Sequence, residues 1–425
     1  MSMLVFIASL GAAMAIGVPV AFALMVCALA MMWTLGMMDP QILAQKMIDG
    51  ADSYPLMAIP FFMLAGELMT AGGLSRRIVD VAMALFGHLR GGLGYVVIGT
   101  GVVLATLSGS AIADTATLAV MLLPIMLKAG YPVGRTSGLM AATGIIAPVI
   151  PPSIGFVVLG VTANLSIVQL FLAGIVPGML MALSLVVAWW IIARHDNTPT
   201  LPRKSGREVL GSVRDAVWAL FLPVIIVAGL RMGVFTPTEA GIVAAAYALF
   251  VSMVIYRELT LKGLYDCLLA SAKLTAVIML LVAASSVTAF LITIANVPAQ
   301  VIGLLGPFID NPILLMALMM AGVFVIGSVL DFTPAITILV PVLMPVVRAA
   351  GIDPIYFGVV FIICAAIGMI TPPVGAVLNT VSGVARIPLE KAVVGIIPFL
   401  LAEIAVLVLL ILFPGIVTIP LELFY

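Results

Sequence analysis

Charge is what this chain most lacks. Asp, Glu, Lys and Arg make up 8% of its 425 residues, 18 acidic against 18 basic, while 64% are hydrophobic. A soluble protein carries about a quarter charged residues, so no water-facing surface can be assembled here and the chain is an integral membrane protein in a lipid bilayer. Zero net charge also removes the basic footprint of a nucleic-acid binder. Histidine is nearly missing: His88 and His195 both sit beside basic, interfacial sequence, which weighs against histidine catalysis or a zinc site. Cys27, Cys267 and Cys364 lie far apart in or beside apolar segments, form no metal spacing, and read as core- or lipid-facing thiols. No GxxxxGK[ST] loop and no GxGD motif occur, so neither an ATPase nor an intramembrane hydrolase is supported, and the reading is not an enzyme. No Lys or Arg precedes Lys46, so the first apolar stretch lacks the charged start of a signal peptide and reads as mature helix. The apolar runs do not alternate at period two, which excludes a barrel.

What is present is a duplication. Prolines 124, 151, 152 and 177 recur 221 residues later as Pro345, Pro372, Pro373 and Pro398, Ala129-Gly130 as Ala350-Gly351, and Gly174 as Gly395. The same offset carries IIAPVIPPSIG (145–155) onto AIGMITPPVG (366–375). The two halves read as copies of one unit.

The joint is the polar stretch 193–214, with Arg194, Arg203, Lys204, Arg207 and Arg214. Such a loop belongs in the cytoplasm. Working outward from it, the first repeat (1–192) divides into scaffold spans within 1–71, an amphipathic arm helix 72–91, a hairpin 92–128, a broken helix 133–163 and a span 168–192. The second (215–425) divides into scaffold spans 215–256 and 274–296, an arm 297–309, a hairpin 310–348, a broken helix 355–384 and a span 391–415. The flanking Lys and Arg residues give the halves opposite orientation, with Arg231 the main exception. The expected fold is an all-α polytopic membrane protein with an inverted-topology repeat.

The hairpins follow from length. Residues 92–128 carry basic residues at both ends, yet 37 residues are too few for two spans of about 20. A re-entrant hairpin turning at LSGS fits, its tip at membrane depth where exposed backbone must face protein or water. Asp114 lies one turn beyond. In the second half IGSVLDFTPAITILVP (326–341) is the counterpart, with Asp331, Thr333 and Pro334 marking the tip. Adjacent prolines in each broken helix remove N–H donors and expose carbonyls. Half-helix ends opposite a hairpin tip would hold a hard cation on carbonyls and an anionic substrate near N-termini. Ser110, Asp114, Ser153 and Asn379 are the candidates for substrate contact. Other readings stand beside these: Ser108 and Ser110 as back-bonded helix serines, Asp114 and Asp331 paired with neighbouring donors, Glu67 and Glu239 as structural carboxylates, and Asn164 merely following the first break.

IPFFMLAGELM, LSGSAIADTA, IIAPVIPPSI, LFLAGIVPG, DPIYFGVVF and TPPVGAVLN together resemble the large membrane subunit of tripartite ATP-independent periplasmic (TRAP) transporters, the DctM/SiaM-like family, across essentially the whole chain. Gly155 departs from a family position where Pro is common. The resemblance implies sodium symport of an organic acid, with a likeness to members handling keto-sugar acids. It implies an elevator-type fold, two or more Na+ ions and no organic cofactor. It implies a small four-helix membrane subunit and a periplasmic substrate-binding protein as partners, and residence in the bacterial cytoplasmic (inner) membrane. Its sodium sites fall on Ser108, Gly109, Ser110, Pro151 and Ser153 in one half, and on Asp331, Thr333, Thr371, Pro372 and Gly375 in the other. A binding-protein-independent or proton-coupled anion carrier, working through Asp114 or Asp331, is the alternative.

Overall fold

The computed structural model describes residues 2–195 and 200–424; residues 196–199 of the expected 193–214 linker lie outside the described residues, as do the two terminal ones. The described residues form helices and connecting turns with no β-strand. They begin with α1 (Ser2–Ala15), α2 (Val20–Thr34), α3 (Pro40–Ala51), α4 (Ala58–Ala71, after a tight turn Tyr54–Met57) and α5 (Leu74–Phe86). The first hairpin is α6 (Gly92–Ser108) and α7 (Ala111–Lys128), followed by α8 (Val133–Gly144), α9 (Ile154–Ala163) and α10 (Ile167–His195). Past the linker come α11 (Gly206–Arg231), α12 (Pro237–Phe250, widening into a π turn at Val251–Ile255), α13 (Leu261–Ile294) and α14 (Val297–Leu305). The second hairpin is α15 (Pro312–Gly327) and α16 (Phe332–Ala349), followed by α17 (Pro354–Gly368), α18 (Ala376–Ala385), α19 (Leu389–Leu412) and α20 (Gly415–Phe424).

The duplication survives in the helix starts. α6, α7, α8, α9 and α10 begin at 92, 111, 133, 154 and 167, and α15 to α19 at 312, 332, 354, 376 and 389. Details repeat as well. The Pro151–Pro152 and Pro372–Pro373 bonds are both cis, and the residues closing α9 and α18, Asn164 and Arg386, are left-handed at φ 54° and 53°. Boundaries are set by local chemistry. Ser110, Ser153 and Asp353 cap α7, α9 and α17 with side-chain oxygens. Ser205 with Glu208, and Thr236 with Glu239, close capping boxes at α11 and α12.

Among the described residues, eight helical segments are long and apolar enough to cross a membrane. α12 packs on α4, and α13 on α2, α3 and α4, forming an outer layer. α8 packs on α19, α7 on α8 and α18, α15 on α17, α16 on α9 and α10 on α19, forming an inner bundle. Arm helix α5 touches both α11 and α6. Glycine lets the bundle close. A Cβ at Gly138 would stand 2.5–2.6 Å from the backbone of Gly395 and Ile396 in α19, and one at Gly368 would stand 2.5 Å from the Gly327 backbone.

Three features depart from the sequence expectation. α3 was not anticipated; it is polar on its outside and held by close approach of Gly50 to Ser286 in α13. α11 and α13 begin earlier than 215 and 274, because their polar first turns continue the helix beyond the apolar run. α20 adds a helix after 415.

Candidate functional site

At the first tip, Ser108 ends α6 and Gly109 turns the chain at φ +62°, a conformation glycine adopts without strain. Ser110 then caps α7, its Oγ accepting the Ala113 N–H at 3.4 Å. Ser108 Oγ donates to Asp114 Oδ1 and accepts the Ser110 N–H at 3.1 Å. Neither serine is back-bonded to its own helix. Asp114 is 4% exposed and its Oδ2 has no hydrogen-bond partner among the described residues.

This tip presses on the first helix break, residues 145–153. A Cβ on Gly109 would lie 2.6 Å from the Pro152 carbonyl oxygen and 3.1 Å from the Ile154 nitrogen. Ser153 braces the break, donating to the Pro148 carbonyl and accepting the Phe156 N–H at 3.1 Å. The carbonyls of Ile150, Pro151 and Pro152 accept no hydrogen bond from the described residues.

The second half repeats the arrangement with other chemistry. Its turn is Ser328–Asp331, so Thr333 and Pro334, expected at the tip, instead form the first turn of α16. The displacement arises because Asp331 is the cap: its Oδ1 accepts the Phe332 N–H at 2.6 Å. The Ser328 carbonyl accepts the N–H groups of both Val374 and Gly375 at 3.2 Å, tying this tip to the second break. Thr371 Oγ1 donates to Ile367 O at 2.8 Å, and Asn379 Nδ2 reaches back to Val374 O at 2.6 Å. Gly375 takes φ +55°. The carbonyls of Thr371, Pro372 and Pro373, the 221-residue counterparts of 150–152, likewise accept no hydrogen bond from the described residues.

The structure thus gathers the sequence candidates into two clusters. Ser108, Gly109, Ser110, Asp114, Pro151 and Ser153 form one; Asp331, Thr333, Thr371, Pro372, Gly375 and Asn379 form the other. They are neighbours: a Cβ at Gly155 would lie 3.4 Å from the Phe332 ring, and α7 packs along α18. Gly155, the family departure, thus lies where α9 meets Phe332 of the second hairpin and Ile362 of α17. Four helix N-termini (α7, α9, α16, α18) and four C-termini (α6, α8, α15, α17) converge, offering partial positive and negative charge side by side. The first break is buried, whereas Pro372, Pro373 and Val374 are exposed. All donors are hard oxygens, and no group of three His, Cys, Asp or Glu side chains converges among the described residues. Sequence reasoning missed Ser328, whose contribution is a backbone carbonyl, and Glu403, fully buried on α19 outside both clusters.

Hairpins facing broken helices within a polytopic helical membrane protein define a transport protein rather than an enzyme. The solved structure of the YdaH transporter from Alcanivorax borkumensis, described as having an unusual topology, shares the fold at a TM-score of 0.64, covering 89% of this chain and 90% of that one at 15% identity. Residues 7–416 match the family described as the tripartite ATP-independent periplasmic transporter, DctM component, and the chain belongs to that family. It is 52% identical over 422 residues, 99% of each chain, to the 2,3-diketo-L-gulonate TRAP transporter large permease protein YiaN of Escherichia coli (strain K12). It is 38% identical to the sialic acid TRAP transporter large permease protein SiaM of Vibrio cholerae, over 96% of each chain.

Proposed function

We propose that this chain is the transport subunit that carries an organic acid, of the keto-sugar-acid class, inward across the bacterial cytoplasmic membrane by sodium symport. A periplasmic binding protein delivers the substrate and a small four-helix membrane subunit completes the complex. The inner bundle slides against the outer layer in an elevator movement. The substrate class rests on the 52% identity to a diketogulonate permease. The coupling rests on one observation: each half presses a hairpin tip onto a helix break that offers three consecutive unbonded carbonyls, 150–152 and 371–373.

Those carbonyls, with Ser108, Gly109, Ser110 and Ser153 in one half and Asp331, Thr333, Thr371 and Gly375 in the other, would hold the cations. Sodium there supplies positive charge that draws in the substrate carboxylate beside the N-termini of α7 and α18, near Ser110, Asp114 and Asn379. The energetics suffice: two sodium ions with a monoanion move one net charge, and the membrane potential yields ~2.3 kcal/mol per 100 mV for it. A second reading is favoured by the unpartnered Asp114 Oδ2, which would suit proton rather than sodium coupling.

Melting of the purified protein in sodium, potassium and choline chloride at matched ionic strength separates the two. A cation at 100 times its Kd adds ~2.7 kcal/mol, so sodium alone should raise the melting temperature, and sodium should drive uptake of a keto-sugar acid into liposomes when binding protein is supplied. Equal melting in all salts, with uptake that follows a proton gradient, would favour Asp114 protonation instead.

A further inference from the structure

Away from both clusters, a cavity of about 620 Å³ opens between arm helix α5, the linker, the start of α11 and the turn after α12. Arg76, Arg77, Lys204 and Arg214 line it against Asp80, Asp215 and Glu258. Arg77 is already committed. Its Nη2 pairs with Glu258 Oε1 at 2.7 Å, its Nη1 donates to Gly73 O at 2.9 Å, and its guanidinium lies 3.6 Å from the centre of the Tyr256 ring. Arg214 has Asp215 at 3.8 Å. Arg76 and Lys204 make no ion pair among the described residues, Lys204 having Glu208 as its electrostatic neighbour beside the cavity, and the charges lining the cavity itself sum to one net positive.

Position identifies the occupant. At 1.5 Å per residue the 26 residues of α11 reach ~39 Å, ~9 Å more than the hydrocarbon core. With Arg231 at the far edge, residues 206–211 stand clear of the core, and Arg214 and Asp215 lie within a turn of its head-group edge. Below them Val217, Phe221 and Val224, at the i, i+4 and i+7 positions of one face, are 47%, 52% and 56% exposed. A phosphate in the cavity thus sits directly above an apolar strip of acyl-chain width.

We propose that this cavity binds the head group of an anionic glycerophospholipid, with the chemistry of phosphatidylglycerol. The phosphodiester meets Arg76 and Lys204, the glycerol hydroxyls donate to Asp80 or Asp215, and the chains follow the exposed face of α11. Because the walls come from the arm, the linker and the outer layer, the bound lipid fastens the arm to that layer. Basic pockets at membrane interfaces recognise anionic head groups by this combination.

The full chain in detergent is melted after adding dioleoyl phosphatidylglycerol, dioleoyl phosphatidylcholine or glycerol 3-phosphate. The expected result is a rise in melting temperature with phosphatidylglycerol alone. The rise should be mostly lost in the Arg76→Gln/Lys204→Gln double variant and kept in Arg203→Gln, which is basic but outside the cavity. An unchanged melting temperature of each variant without lipid establishes that it folds. An equal rise with phosphatidylcholine overturns the charge argument. A full effect from glycerol 3-phosphate makes the site one for a soluble anion and overturns the lipid assignment. A double variant that still responds removes the cavity from consideration.

Discussion

Asp331 shows how one side chain can serve two purposes. One carboxyl oxygen caps α16 through the Phe332 N–H, and the other remains for the proposed cation. The two can be separated, because Asn caps a helix about as well as Asp while carrying no charge. Asp331→Asn should melt within ~0.5 kcal/mol of the parent protein in choline, yet need at least ~10-fold more sodium for half its stabilisation, ~1.4 kcal/mol of binding. Asp331→Ala should lose a further ~1 kcal/mol in every salt. A sodium titration of melting temperature reads both effects, and an Asn variant with the parental sodium response would reduce Asp331 to a cap. At this scale the sequence was informative wherever a side chain does the work. Ser108, Ser110, Asp114 and Ser153 stand out in the sequence as polar residues inside apolar segments, and the structure gathers them at the first tip and break, where Ser110 and Ser153 also cap helices. The Ser328 carbonyl and the six unbonded break carbonyls were not legible, since which backbone group stays unpaired depends on where the helices stop.

Among the elements, the hairpins and breaks were legible because they are written in Pro, Gly and Ser, residues with strong local conformational rules. α3 was not: it is short, carries Gly50 in its last turn, and exists because α13 gives it a surface to lie on. The extent of α13 was hidden by Lys262, Asp266 and Lys273, which read as loop but occupy the turns of a 34-residue helix. Packing also sorts glycines that look alike in the sequence. A methyl group at Gly368 would collide with the backbone of Gly327 in α15, 2.5–2.9 Å away, whereas one at Gly322 meets nothing within 4 Å. Gly368→Ala must push α15 from α17 and should destabilise by ~1–3 kcal/mol. Gly322→Ala should be neutral or stabilising by up to ~1 kcal/mol, because alanine favours helix. Thermal melts of the two variants test this, and similar melting would mean that the α15–α17 contact is not as tight as the geometry requires. Trp189 is the aromatic equivalent of such a fixed point. It is 1% exposed, stacked between Tyr131 and Phe399 at 6.1 and 6.2 Å, with Nε1 donating to Gly91 O at 2.8 Å. Trp189→Ala should remove ~3–5 kcal/mol, seen as a lower melting temperature in all salts alike.

For the molecule as a whole, the proposed elevator requires that the outer layer and inner bundle slide without interlocking. The outer layer meets the first hairpin tip at Gly66 of α4, where a Cβ would stand 3.3 Å from Ser108 Cβ. A single methyl group at that spacing needs only a small adjustment, but a branched side chain would wedge into the sliding surface. Gly66→Ala should therefore keep uptake within about twofold, a barrier change of ~0.4 kcal/mol, whereas Gly66→Leu should slow it at least ~10-fold, or ~1.4 kcal/mol. Gly66 supplies no oxygen to the proposed cation sites but touches Ser108, so the alanine variant should keep the sodium-dependent rise in melting temperature, and the leucine variant should keep it if it blocks only the movement. That pairing distinguishes a blocked movement from a damaged site: uptake and sodium stabilisation lost together would place Gly66 in the binding machinery, and normal uptake by the leucine variant would mean that the bundle does not slide past α4 at all.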